Sequence, residues 1–255
     1  MTAGAGLGAL VGLALMAAVA AAWIPPAAQD PAYHRMADGR MLLGVPNALN
    51  VLSNLPFVLV GALGLWGLGG RRVRFLDPRE RWPYRVFFAG LLLTGLGSAY
   101  YHLAPDNARL AWDRLPLAVT LMALFAAIIA ERLSVRMGLL LLPLLVALGA
   151  GSVLTWYRGE LLGNGDLRFY GIVQFYPLLA VPILLFLQPR YSGGGWLLGA
   201  ILLYALAKAF EALDAPIFGL GRALSGHTLK HLFAALSGYA VWRMLQTRQP
   251  AREDH

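Results

Sequence analysis

Apolar runs long enough to cross a bilayer recur along the chain, and no other feature constrains its fold as much. They fall at about 6–23, 47–69, 86–103, 110–130, 137–156, 169–187, 196–213 and 225–245. A hydrocarbon layer roughly 30 Å thick needs about 20 helical residues to span it. Inside that layer every backbone polar group must be satisfied within the chain, which leaves helices or closed barrels. Continuous apolar runs of this length select helices. Composition agrees: 58% of the 255 residues are hydrophobic and 13% are charged, about half the charged share of a soluble domain. The sequence therefore predicts an all-α integral membrane protein, with a seven-transmembrane-helix core and one extra N-terminal hydrophobic helix. Residues 1–33 form that helix and a linker, 34–247 the membrane domain, and 248–255 a polar tail. No soluble domain, low-complexity block or internal repeat is visible. The first run could also be read as a signal peptide, since alanines precede Pro25 and Pro26. It has no basic segment before it, which favours a retained helix.

The net charge of +8 is not read as a nucleic-acid signal, because in a membrane chain basic loops report topology and anionic headgroups. The loop from Arg71 to Arg85 holds six arginines against two acids. It is the strongest cytoplasmic signal in the chain. The later short loops alternate consistently with it and put both termini on the cytoplasmic side. Lys208 and Lys230 are the only lysines amid abundant Ala, Leu and Gly. That bias points to a GC-rich bacterial genome, and so to an inner membrane. Cysteine is absent, which excludes disulfides, thiolate catalysis and cysteine-based zinc sites. The oligomeric state is not legible.

With this topology, three polar clusters reach one membrane level, toward the outer face. The third span ends in Ser98-Ala99-Tyr100-Tyr101-His102, the fourth opens with Trp112-Asp113-Arg114, and the last opens with His227-Thr228-Leu229-Lys230-His231. Residues four apart share a helix face, so Ser98 aligns with His102 and His227 with His231. Ionisable side chains at membrane depth are costly and usually functional. Of the five histidines, His34 lies in a loop and His255 ends the chain; the other three share this level. Three imidazoles from two helices suit zinc with a fourth position open to water, the catalytic rather than the structural arrangement. Asp113 is placed to orient a ligand or move a proton. Ser98 is placed to donate to a developing oxyanion. The bland alternatives are helix-end histidines near headgroups, and an Asp113 that only stabilises a helix start.

In order and spacing, Ser98-x-x-x-His102, Asp113 and His227-x-x-x-His231 resemble the alkaline ceramidase superfamily, which also includes adiponectin-receptor-like proteins and relatives of the GPI-remodelling lipases. Asn50-Val51-Leu52-Ser53-Asn54 is similar to the first core helix of the alkaline ceramidase branch. The resemblance covers about residues 34–246. It implies zinc on His102, His227 and His231, with Ser98 and Asp113 flanking the metal-held water. It further implies a membrane lipid substrate, ceramide or another N-acyl lipid, cleaved to a fatty acid and a long-chain amine. One feature departs from the pattern. Eukaryotic members carry an acidic calcium site near the first core helix, where this chain offers only Asp38 and, in place of an expected glutamate, Asn47. One carboxylate makes a poor calcium cage, so little dependence on calcium is expected.

Three function classes compete: a zinc amidase, a lipid-binding or signalling protein with structural zinc, and a b-type haem protein. Haem fits worst, because His227 and His231 share a face and cannot be opposed axial ligands. Among other polar residues, Lys208 and Glu211 are expected to pair at a solvated helix end near Asp214, and Lys230 to snorkel toward headgroups. Tyr100, Tyr101, Trp112, Trp156 and Tyr157 fit an interfacial aromatic belt.

Overall fold

A computed structural model describes residues 1–70 and 72–251; Arg71 of the arginine loop, and Arg252 and His255 of the tail, lie outside the described residues. The chain is helical, with two isolated bridges and no sheet among the described residues. The helices are α1 (Ala3–Trp23), α2 (Ala48–Leu52), α3 (Leu55–Gly67), α4 (Arg81–Leu103), α5 (Asn107–Arg132), α6 (Val135–Leu161), α7 (Arg168–Leu185), α8 (Gly194–Ala212), α9 (Asp214–Gly221) and α10 (Gly226–Thr247). Counting α2 and α3 as one span, Ala48–Gly67, seven are apolar and long enough to cross a membrane. The chain is a multi-pass membrane protein. The eighth long helix, α10, has 22 residues and is more polar because it carries His227, Lys230, His231 and Arg243.

Two features were not anticipated. The expected continuous span at 47–69 is broken at Ser53-Asn54. Proline at the second position of α3 has no N–H to donate to a preceding carbonyl. The Asn54 N–H turns to the Val51 carbonyl at 3.2 Å, and the Ser53 hydroxyl and Asn54 side-chain amide take its place on the Asn50 carbonyl, at 3.1 and 2.8 Å. The short helix α9 is the second, and Asp214, expected to end the seventh span, begins it.

Neighbours in the bundle are α3 with α4, α4 with α5, α5 with α6 and α7, α8 with α10, and α10 with α3; α1 lies outside this group, against α7. Only Gly6 and Leu10 of α1 are buried, as suits a helix facing lipid on most sides. The most enclosed helix is α5, with small residues such as Ala118, Ala123, Ala126 and Ala127 fully covered. Close approach of α4 to α5 depends on Gly97. A Cβ there would lie 2.1 Å from the Trp112 carbonyl oxygen, well inside any real contact. That approach brings Ser98 and Asp113 to the wall of one cavity. Gly226 acts likewise at the start of α10, where a Cβ would meet the Phe210 carbonyl at 2.2 Å.

The bundle has two different ends. His102, Asp113, His227 and His231 lie at one. At the other, where Met1 and the end of α10 sit, Arg248 is buried and paired with Glu131, which also accepts from Tyr84 Oη at 2.7 Å. Beside it Glu80 pairs with Arg190 at 3.2 Å and accepts from Tyr191. Breaking a buried ion pair leaves one charge uncompensated, which costs about 3–5 kcal/mol. Glu131→Ala should therefore lower the thermal midpoint in detergent markedly while the folded fraction keeps its metal content. An unchanged midpoint would show that the pair contributes nothing.

Candidate metal centre

His102 comes from the last turn of α4, and His227 and His231 from the first turns of α10. All three are at least 96% buried, with ring centroids 4.8–4.9 Å apart pairwise. One ring nitrogen from each lies within 4.8 Å of the others, which makes a group that could hold a metal ion. His102 Nε2 and His227 Nε2 are 3.2 Å apart. Two nitrogens each about 2.0–2.1 Å from a tetrahedral zinc would be roughly 3.3 Å apart. The bland reading, histidines scattered among headgroups, does not describe these side chains.

The surroundings of His231 fix which of its nitrogens faces the cluster. Ser53 Oγ donates to the Asn50 carbonyl, so its lone pairs are left to accept. It lies 2.8 Å from His231 Nδ1, which must then carry the proton. Nε2 keeps its lone pair and points at the cluster, 3.5 Å from Ser98 Oγ. Metal-ligating histidines are commonly held this way by a bond to the far nitrogen. Asn50 steadies the same helix start: its Oδ1 accepts from Thr228 Oγ1 at 2.9 Å and from Ser225 Oγ at 3.4 Å. Ser225 in turn caps α10 by accepting from Thr228 N. The broken span therefore serves α10, turning Asn50 and Ser53 toward it. The sequence flagged this stretch as polar without assigning Ser53 a task.

Beside the histidines lies a polar cavity of about 120 Å³, whose walls include Ser98, Asp113, Arg114, Lys208, Glu211, Lys230 and His231. Asp113 and Ser98 share its wall. Asp113 does not open its helix: α5 begins six residues earlier and is capped by Asp106, which accepts from Arg109 N at 2.7 Å. Stabilising a helix start is thus not its role. An apolar cavity of about 70 Å³ adjoins the polar one, sharing Phe57, Leu117, Tyr204 and Ala234 as walls. It runs between α5, α7, α8 and α10.

No protein-family model matches the chain, and no curated protein matches it. The likeness to ceramidases therefore rests on the motif residues alone.

Several expectations for the neighbouring side chains are corrected. Lys208 and Glu211 do pair, but Glu211 is only 12% exposed, and both line the cavity rather than a solvated helix end. Lys230 does not snorkel. Its Nζ lies 2.6 Å from Glu211 Oε1 and 3.5 Å from His227 Nε2, because one helical residue from His231 rotates it into the cavity. Asp214 caps structure, accepting from His227 N at 2.8 Å and Ala37 N at 3.0 Å. Tyr101 and Trp156 are fully buried and do not belong to an aromatic belt, whereas Tyr100 and Trp112 are exposed. Tyr101 Oη bonds His34 Nδ1 at 3.0 Å, and His34 Nε2 reaches Asn107 Oδ1 at 3.0 Å. His34 thus sits over the site end without joining the cluster. Gln29 and Tyr33, on the linker after α1, also reach this end, contacting Arg114 and Glu211.

The calcium candidates meet protein partners. Both Asp38 oxygens accept from Arg40, at 2.7 Å each, and this pairing holds the Asp38 carboxyl below the usual carboxylate range. Asn47 donates to the His102 carbonyl at 2.9 Å. A guanidinium thus stands where a calcium ion would need that carboxylate.

Two outcomes are expected from metal analysis of purified protein. His102→Ala, His227→Ala and His231→Ala should each lose most of the bound metal. Ser53→Ala should keep the fold and weaken metal binding by about 10- to 100-fold, read by competition with a chelator. Stoichiometric metal in a variant lacking all three histidines would place the metal elsewhere.

Proposed function

We propose that the chain is a zinc-dependent membrane amidase that cleaves the N-acyl bond of ceramide or a similar N-acyl lipid. One observation carries this reading. Three histidines grouped so that they could hold a metal ion lie at the edge of a polar cavity that His231 walls together with Asp113 and Ser98, and that cavity adjoins an apolar one. A closed structural site would need no carboxylate and hydroxyl facing it, and a lipid-binding protein would need no metal beside the lipid. His102, His227 and His231 are the residues that would hold zinc. When bound there, zinc supplies Lewis acidity and lowers the pKa of water.

The chain's own residues do the rest. The apolar cavity takes the start of the acyl chain and brings the amide to the boundary of the two cavities. Asp113 accepts a proton from the attacking water as its oxygen bonds to the carbonyl carbon. Ser98 Oγ donates a hydrogen bond to the oxyanion that develops on the carbonyl oxygen. Asp113 then delivers its proton to the leaving nitrogen as the C–N bond breaks, which regenerates the carboxylate. The products are a fatty acid and an amine. Burial between α4, α5 and α10 excludes bulk water, which strengthens each of these interactions.

The arginine-rich end is assigned to the cytoplasm and the metal end to the outer face of a bacterial inner membrane. In this cysteine-free chain, cysteines at Arg72 and Asn164 should label from opposite sides. Labelling from one side would contradict the assignment.

Asp113→Asn keeps shape and hydrogen-bonding capacity but loses the base. It should retain zinc and lower amide hydrolysis by about 10²- to 10⁴-fold. Ser98→Ala should also retain zinc, with a loss of roughly 10²- to 10³-fold. The check is turnover per bound zinc on purified protein. A wild-type rate in Asp113→Asn would remove the proton-transfer role.

A further inference from the structure

The polar cavity carries more positive charge than its walls can pair. Three cations line it, Arg114, Lys208 and Lys230, against two carboxylates, Asp113 and Glu211. Glu211 is already shared: it takes both lysines and the Tyr33 hydroxyl, the last at 2.9 Å. Asp113 lies on the same wall as Ser98 and His231. Arg114 is 6% exposed and forms no ion pair among the described residues. Its guanidinium lies 4.4 Å from the Trp156 ring centre and 4.8 Å from that of Tyr170, and Nη2 donates to Gln29 Oε1 at 2.6 Å. Nη1 is buried with no hydrogen-bond partner among the described residues. Buried charges are normally paired, and at membrane depth an ionisable side chain marks where a ligand goes. A divalent metal on the histidines would enlarge the imbalance. The cavity is short of an anion.

The shape of the neighbouring space says what kind of molecule brings it. Phe57, Leu117, Tyr204 and Ala234 wall both this cavity and the apolar one. An occupant of both has an apolar chain and, close to it, a negatively charged group. If the acyl chain takes the apolar side, the charge belongs to the amine half. We propose that Arg114, Lys208 and Lys230 recognise a carboxylate or phosphate on the amine half of the substrate, so that the enzyme acts on acidic N-acyl lipids in preference to neutral ones. A planar guanidinium and two ammonium groups match the oxygens of such a group. This rests on the amidase reading and, because ceramide is neutral, favours the other N-acyl lipids within it.

The test compares N-palmitoylglycine, its methyl ester and free palmitate on full-length, zinc-loaded protein in nanodiscs of neutral lipid. Equilibrium binding is read, with product formation followed in parallel. The acid should bind at least about 10-fold more tightly than the ester, as expected for a charge-assisted hydrogen bond in a buried site. Lys208→Gln leaves Glu211 paired with Lys230, and should cut the acid's affinity by about that factor without changing the ester's. Equal binding of acid and ester by the wild-type protein overturns the proposal, and this comparison needs no variant to fold. So does a Lys208→Gln loss shared equally by both ligands. Palmitate binding more tightly than N-palmitoylglycine also overturns it, since the cations would then hold the acyl carboxylate. The two readings fail separately. Charge preference without hydrolysis keeps the anion site and removes the amidase, whereas hydrolysis of acid and ester with equal kcat/KM does the reverse.

Discussion

Hydrocarbon offers no hydrogen-bond partner, so a polar side chain placed between membrane helices must find its partner on another helix. The end of the bundle that carries the three histidines is built from such obligations. Ser53 gives its proton to the Asn50 carbonyl and receives the one on His231 Nδ1. Asn50 in turn holds Ser225 and Thr228, which start α10. These bonds set the height and rotation of α10, and with them the aim of His227 and His231. Gly97 allows α4 to come close enough to α5 for Ser98 and Asp113 to wall one cavity. The far end is tied by Glu131 with Arg248 and Tyr84, and by Glu80 with Arg190 and Tyr191.

The same rule explains why the site is divided. Polar groups that the scaffold satisfies, such as Asn50, Ser53 and Asp214, are structural by their bonding. Others line the cavity instead: Asp113, Ser98, the two lysines that share Glu211, and Arg114, whose Nη1 has no hydrogen-bond partner among the described residues. An apolar cavity adjoins this polar one.

Much of this was legible in the sequence because membrane helices obey a length rule and a charge rule. The eight long helices match the apolar runs to within a few residues at most ends. The histidines at 102, 227 and 231 were singled out by depth and i,i+4 spacing, and they do converge. Misreadings came where a residue's fate depended on rotation about a helix rather than on position along it. Lys230 was placed among headgroups and Tyr101 in an aromatic belt, yet both turn inward. The break at Ser53-Asn54 was hidden for a related reason. Hydropathy does not distinguish a polar residue that ends a helix from one that lines it. Arg114 and Gln29, 85 residues apart, meet only through the tertiary fold. Asp113 was legible as a site residue, but its place in α5 was not, because the capping Asp106 lies in a loop the apolar run does not reach.

X-ray absorption at the zinc edge of the purified wild-type protein tests most directly whether this end of the bundle is a catalytic metal centre. The expected spectrum is that of one zinc per chain with three imidazole nitrogens at about 2.0–2.1 Å and one further light ligand not supplied by the protein. A shell closed by four protein ligands, or protein prepared without a chelator that holds no transition metal, would contradict it.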